Sequence, residues 1–160
     1  MALRISSYLL FALAALVSSC SQPLEHSCFR SVDSLRGWME EDTINLSLEL
    51  MESDFPATLQ LSAQAKEDAI GQDFTIYLTF VSPDNDFYRD TVTLRFGQSE
   101  GGTIRKKGST IQILWPYLHI DRLNKEGRWQ ILLQRSNEDK DLYSMISGMG
   151  ISVSKQTKDR

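Results

Sequence analysis

The chain has 160 residues, with 17 Lys and Arg against 21 Asp and Glu, a net charge of −4, and 41% hydrophobic residues. That length suits one domain with a sizeable core. Its basic residues are scattered apart from Arg105-Lys106-Lys107, which argues against a nucleic-acid partner, and two cysteines with two distant histidines suggest neither a disulfide framework nor a metal site.

The first nineteen residues carry a single charge, Arg4, followed by an apolar run from Leu9 to Val17. A membrane span needs about 20 apolar residues, so this run is too short to remain as one and reads as a secretory signal. An ordinary leader would end in small residues alone; here Val17-Ser18-Ser19 is followed at once by Cys20. The pattern resembles the bacterial lipoprotein box, so residues 1–19 are expected to be removed and Cys20 to carry the lipid. Each buried methylene contributes about 0.8 kcal/mol, and two or three chains on one residue anchor a protein stably where a single chain does not. With Cys20 lipidated, Cys28 has no partner within the chain and is expected to be a buried or tether-shielded thiol, an intermolecular disulfide being the alternative.

Residues 20–36 mix Ser, Gln, Pro and His without a clear period and read as a tether that joins the fold near Phe29 and Val32. A domain is expected over 37–155, with a charged tail at 156–160. From Ile44 to Leu50 apolar residues alternate with polar ones, as in a strand with one wet face. The same alternation runs from Leu59 to Ala65. Phe74 to Val81 is apolar on both faces, the pattern of a central strand. The cluster Ser82-Pro83-Asp84-Asn85-Asp86 marks a turn, and Thr91 to Phe96 the next strand. Gln98 to Ser109 reads as a loop, Thr110 to Trp115 as a strand, and Tyr117 to Lys125 leaves room for a short helical turn. Trp129 to Gln134 is a strand, Asn137 to Asp141 a polar loop, and the segment around Ile151 and Val153 a last strand placed near a sheet edge. Seven or eight short strands with no long helical period predict one all-β domain, an antiparallel sandwich or jelly roll.

No catalytic constellation is apparent, so no enzyme activity, cofactor or metal is expected. His119 and Asp121 share a face of an extended segment, but a surface histidine beside an acid is the simpler reading. Asp84, Asp86 and Asp90 crowd one turn as calcium ligands do, yet match no calcium-loop spacing, and turn formation explains them. Trp115 and Trp129 fall on buried-looking positions, whereas Trp38 is left open between core and an exposed sugar-stacking ring.

The segments Gly37-Trp38, Asp90-Thr91-Val92, Gly127-Arg128-Trp129 leading to Gln134-Arg135, and Gly148 to Lys155 resemble the gliding-motility lipoproteins called GldH. With the lipoprotein box and strand order, the likeness covers most of residues 16–155. The resemblance is that of a divergent member, with Ile104 where the family's glycine loop carries Trp. The resemblance implies a non-enzymatic accessory lipoprotein of the Bacteroidota envelope, linked to gliding and type IX secretion machinery through protein–protein contacts. Some relatives carry an acidic run after the lipidated cysteine as a surface-export cue; Ser21 to Glu25 holds one acid, so the outer membrane facing the periplasm is the expected location. A glycan- or ligand-binding envelope lipoprotein, with Trp38 in its groove, is the alternative.

Overall fold

The computed structural model describes residues 26–33, 35–52, 57–97, 102–117, 123–136 and 140–155. They form nine strands: β1 (His26–Ser31), β2 (Ile44–Leu50), β3 (Ala57–Lys66), β4 (Asp73–Val81), β5 (Phe87–Arg95), β6 (Thr103–Lys107), β7 (Thr110–Tyr117), β8 (Gly127–Arg135) and β9 (Ile146–Lys155). A 3₁₀ turn at Glu67–Ala69 and a short helix, α1 (Lys140–Tyr143), complete the described elements. All pairings are antiparallel. One sheet runs β1-β9-β3-β7-β6 and the other β2-β8-β4-β5. Strands adjacent in sequence, β1 and β2, β3 and β4, β8 and β9, occupy matching positions in opposite sheets, the wrapped order of a jelly roll. The all-β sandwich expected from the sequence is therefore the fold.

The core is what the alternation dictates. Leu46 and Leu48 on β2, Leu59 and Leu61 on β3, Ile76 and Leu78 on β4, Ile113 on β7, Ile131 and Leu133 on β8, and Ile151 on β9 are all buried between the sheets. Aromatic residues fill one end, with Phe74 stacked on Phe96 at 4.6 Å and both rings set edge-on to Trp115. Trp115 Nε1 donates to the Arg95 carbonyl at 2.9 Å and Tyr117 Oη to Asp90 Oδ2 at 2.7 Å, tying β7 to β5 across the two sheets.

Several boundaries differ from the sequence expectation. The tether expected over 20–36 already contains strand β1, which pairs with β9 from His26↔Val153 to Ser31↔Gly148. Within the loop expected at 98–109, Thr103–Lys107 forms β6 and pairs with β7. Both are edge strands that bury few side chains, so neither shows a strong alternation. Strand β1 takes the edge and β9 lies next to it, near the edge as expected. Strand β4 is interior as predicted, but its second face is wet, with Tyr77 exposed, since each sheet of a sandwich has only one inward face. Of the polar loop expected at 137–141, Lys140 and Asp141 belong to α1 and 137–139 lie outside the described residues; Tyr117 belongs to β7, and positions 118–122 of the suggested helical turn also lie outside the described residues.

Candidate functional site

Following the chain up β1 leads to a turn at the end of the sandwich opposite the one where the chain enters at His26. The Asp33 carboxylate organises it, accepting from the N–H groups of Leu35 (2.8 Å) and Arg36 (3.2 Å) and from Arg36 Nε (3.1 Å). The Gly37 N–H donates to the Asp33 carbonyl at 2.8 Å. The Leu35 N–H first, then the Arg36 side chain and N–H, hold the Asp33 carboxyl below the usual aspartate range. Gly37 is obligatory on two counts: its φ is +71°, and a Cβ there would stand 2.5 Å from Ser144 Cα. The turn is thus pressed onto the segment after α1. Trp38 completes the clamp, donating its N–H to the Tyr143 carbonyl at 3.1 Å and packing edge-on against the Tyr143 ring at 6.0 Å.

The consequence is that Leu35, 94% exposed, is an apolar side chain held in solvent by an ordered turn. An open groove beside it runs between the end of β1 and the start of β2, lined by Arg30, Val32, Asp33, Arg36, Asp42 and Thr43. Under the same loop lies Arg135, a buried guanidinium 4.9 Å above the Tyr143 ring with Nη2 3.9 Å from Glu40 Oε2. Among the described residues its Nε and Nη1 have no hydrogen-bond partner. A buried charge with one loose partner among the described residues is retained at a stability cost.

The two outer sheet faces differ in chemistry. On the four-stranded sheet, exposed Tyr77 shares its face with Glu49, Asp73, Arg89, Arg95 and Arg128. On the five-stranded sheet the outward residues of β1 and β9 are Ser27, Phe29, Ser31, Gly148, Gly150 and Ser152. Those of β3 and β7 continue the row with Thr58, Gln60, Ser62, Gln64, Gln112, Leu114 and Pro116. None is charged; charge begins at Lys66 and on edge strand β6 with Arg105 and Lys107.

The residues singled out from the sequence are dispersed. Cys20, His119 and Asp121 lie outside the described residues. Cys28 is a free, half-buried thiol on β1, packed against the core. Asp84 and Asp86 are held by Lys125 Nζ at 2.7 and 3.3 Å, which raises the Lys125 pKa through the Asp84 contact first, while Asp90 is turned to Tyr117. Among the described residues no group of three His, Cys, Asp or Glu is placed to hold a metal ion. All three tryptophans are buried, Trp38 at 1% exposure, with their indole N–H groups donating to the carbonyls of Asp42, Arg95 and Lys125. The sugar-stacking role left open for Trp38 is therefore excluded, because Tyr143 covers its ring. Sequence reasoning missed Leu35, although Asp33 followed four residues later by Gly37 is a turn signature.

Among the described residues no helix is long and apolar enough to cross a membrane. The fold and surface define a β-sandwich with a turn at one end that exposes Leu35, and a five-stranded sheet whose outer face carries charge only at Lys66 and on edge strand β6 among the described residues. Comparison with protein-family models, with curated proteins and with solved structures finds no match.

Proposed function

We propose that this chain is a non-enzymatic, lipid-anchored protein of the bacterial cell envelope, held by acyl chains on Cys20 to the outer membrane and facing the periplasm. In this reading it is a divergent relative of the GldH lipoproteins and serves gliding or type IX secretion machinery through protein–protein contacts. The observation that carries the proposal is the short distance in sequence between the lipoprotein box and the fold: His26, six residues after Cys20, already begins β1. Six residues reach at most about 20 Å, so an anchor at Cys20 would keep this end of the sandwich close to the bilayer. The Leu35 turn stands at the far end of β1, roughly 20 Å further out at about 3.3 Å per strand residue. A stiff apolar protrusion facing away from the membrane suits a partner protein.

Positions that carry the resemblance also have definite structural duties. Gly37 and Trp38 clamp the outer turn, Trp129 is core, and Gly148 and Gly150 lie beneath Phe29.

The test is capture of partners from detergent-solubilised envelope by the full-length protein, with Leu35→Asp as comparison. Wild type should enrich envelope proteins that the variant loses, while the melting temperature stays the same. Identical recoveries from both proteins would refute a contact at this turn.

A further inference from the structure

We propose that the outer face of the five-stranded sheet binds an uncharged glycan, with Phe29 as the ring against which a sugar packs. Two independent observations lead there. The first is the position of Phe29. A Cβ on Gly148 would lie 2.5 Å from Phe29 Cζ, and one on Gly150 would lie 2.7 Å from Phe29 Cδ2. The ring therefore lies along β9 across both glycines, in the space their side chains would take. At 39% exposure its far side faces solvent.

The second observation is the chemistry around the ring. Ser62 lies at its edge, with Oγ 2.8 Å from where a Gly150 Cβ would be. Gln60, Gln64 and Gln112 continue the floor on β3 and β7, beside half-buried Leu114. In a chain where 24% of residues are charged, this run of strands presents amides, hydroxyls and one aromatic ring. Such a surface can donate and accept hydrogen bonds without the desolvation cost of a charge, and an aromatic face packs against the apolar C–H side of a sugar ring. A nucleic acid or an anionic lipid surface would need basic residues here, and these begin only at Lys66, the last residue of β3, and at the β6 edge. The opposite outer face has its own exposed rings, Tyr77 and Phe87, but sets them on a face with five charged residues.

The proposal is independent of how the chain is anchored. Its test is isothermal titration of the full-length protein, in a non-glycosidic detergent, with cellohexaose and with chitohexaose. Phe29→Leu keeps an apolar cover over the glycines but removes the ring; Gln60→Ala with Gln64→Ala removes the flanking amides. Binding of either sugar is expected, weakened at least about tenfold in both variants at unchanged melting temperature, whereas Tyr77→Leu should bind as wild type. Absence of binding to both sugars would overturn the proposal, as would equal affinity in Phe29→Leu or an equal loss in Tyr77→Leu. Self-association without sugar that Phe29→Leu abolishes would also overturn it, assigning the face to a second copy of the chain.

Discussion

Replacing Gly148 by alanine tests the packing of Phe29 through the sign of the effect. At an unhindered strand position, Gly→Ala stabilises by about 0.4–1 kcal/mol, because it restricts the unfolded chain. Here the new methyl would meet Phe29 Cζ at 2.5 Å, Cε1 at 2.6 Å and the Arg30 carbonyl oxygen at 2.9 Å. Contacts that short force the ring or the strand to move, and overpacking of this kind costs roughly 1–3 kcal/mol. The net expectation is a loss of about 1 kcal/mol, read as a fall of roughly 3–4 °C in melting temperature for a domain of this size. Phe29→Ala removes two of the three obstacles, so Gly148→Ala should be better tolerated in that background, with a coupling of about 1 kcal/mol or more. Gly150→Ala provides the contrast. Its methyl would also meet the Cys28 carbonyl and Ser62 Oγ, both at 2.8 Å, so Phe29→Ala should rescue it less. Urea denaturation of the six proteins in these two cycles, which share wild type and Phe29→Ala, measures both couplings. A neutral or stabilising Gly148→Ala would refute the placement of the ring over β9.

Other consequences follow from the same structure. Ile151 is buried on β9 while Ser152 faces outward and is half-buried. Ile151→Asp should cost several kcal/mol of a total near 5–15 and unfold the domain, whereas Ser152→Asp should change stability by less than about 0.5 kcal/mol; equal losses in thermal melts would contradict the assigned faces. The Asp33 carboxyl, held down by the Leu35 and Arg36 donors, contributes its stabilisation above the unfolded aspartate value and loses it as pH falls through its own lowered value. A carboxyl NMR titration should place its midpoint below that of an aspartate in an unfolded peptide, and a midpoint at or above that value would contradict the turn geometry. Trp38→Ala should cost about 3–5 kcal/mol, as for a buried indole; a surface-like loss below about 0.5 kcal/mol in denaturant unfolding would contradict its burial.

Strands with one wet face were legible in the sequence because burial imposes period two. Ile44 to Leu50 reads inward, outward, inward without a break, and the structure buries those apolar positions. The edge strands were hidden by the same physics. In β1, Cys28 packs partly against the core while Phe29 lies on the outer face, and in β6 Ile104 is the residue that does so, so neither segment carries a repeating apolar signal. Trp38 could not be resolved from its neighbours, since the ring that buries it, Tyr143, comes from a distant part of the chain. The platform under Phe29 was equally out of reach. Gly148 and Gly150 stood out in the sequence, but what lies on them follows from the β1–β9 register. Leu35 looked like part of a tether because a turn built by one aspartate's hydrogen bonds leaves no hydrophobic pattern.

Anchoring through Cys20 is the claim on which the envelope function rests. Metabolic labelling with an alkyne fatty acid, comparing wild type with Cys20→Ala in membrane fractions, tests it most directly. Label on the wild-type protein, and an unlabelled, uncleaved or mislocalised precursor in the variant, is the expected result. Label that persists on Cys20→Ala, or a wild-type protein that takes up none, would contradict it.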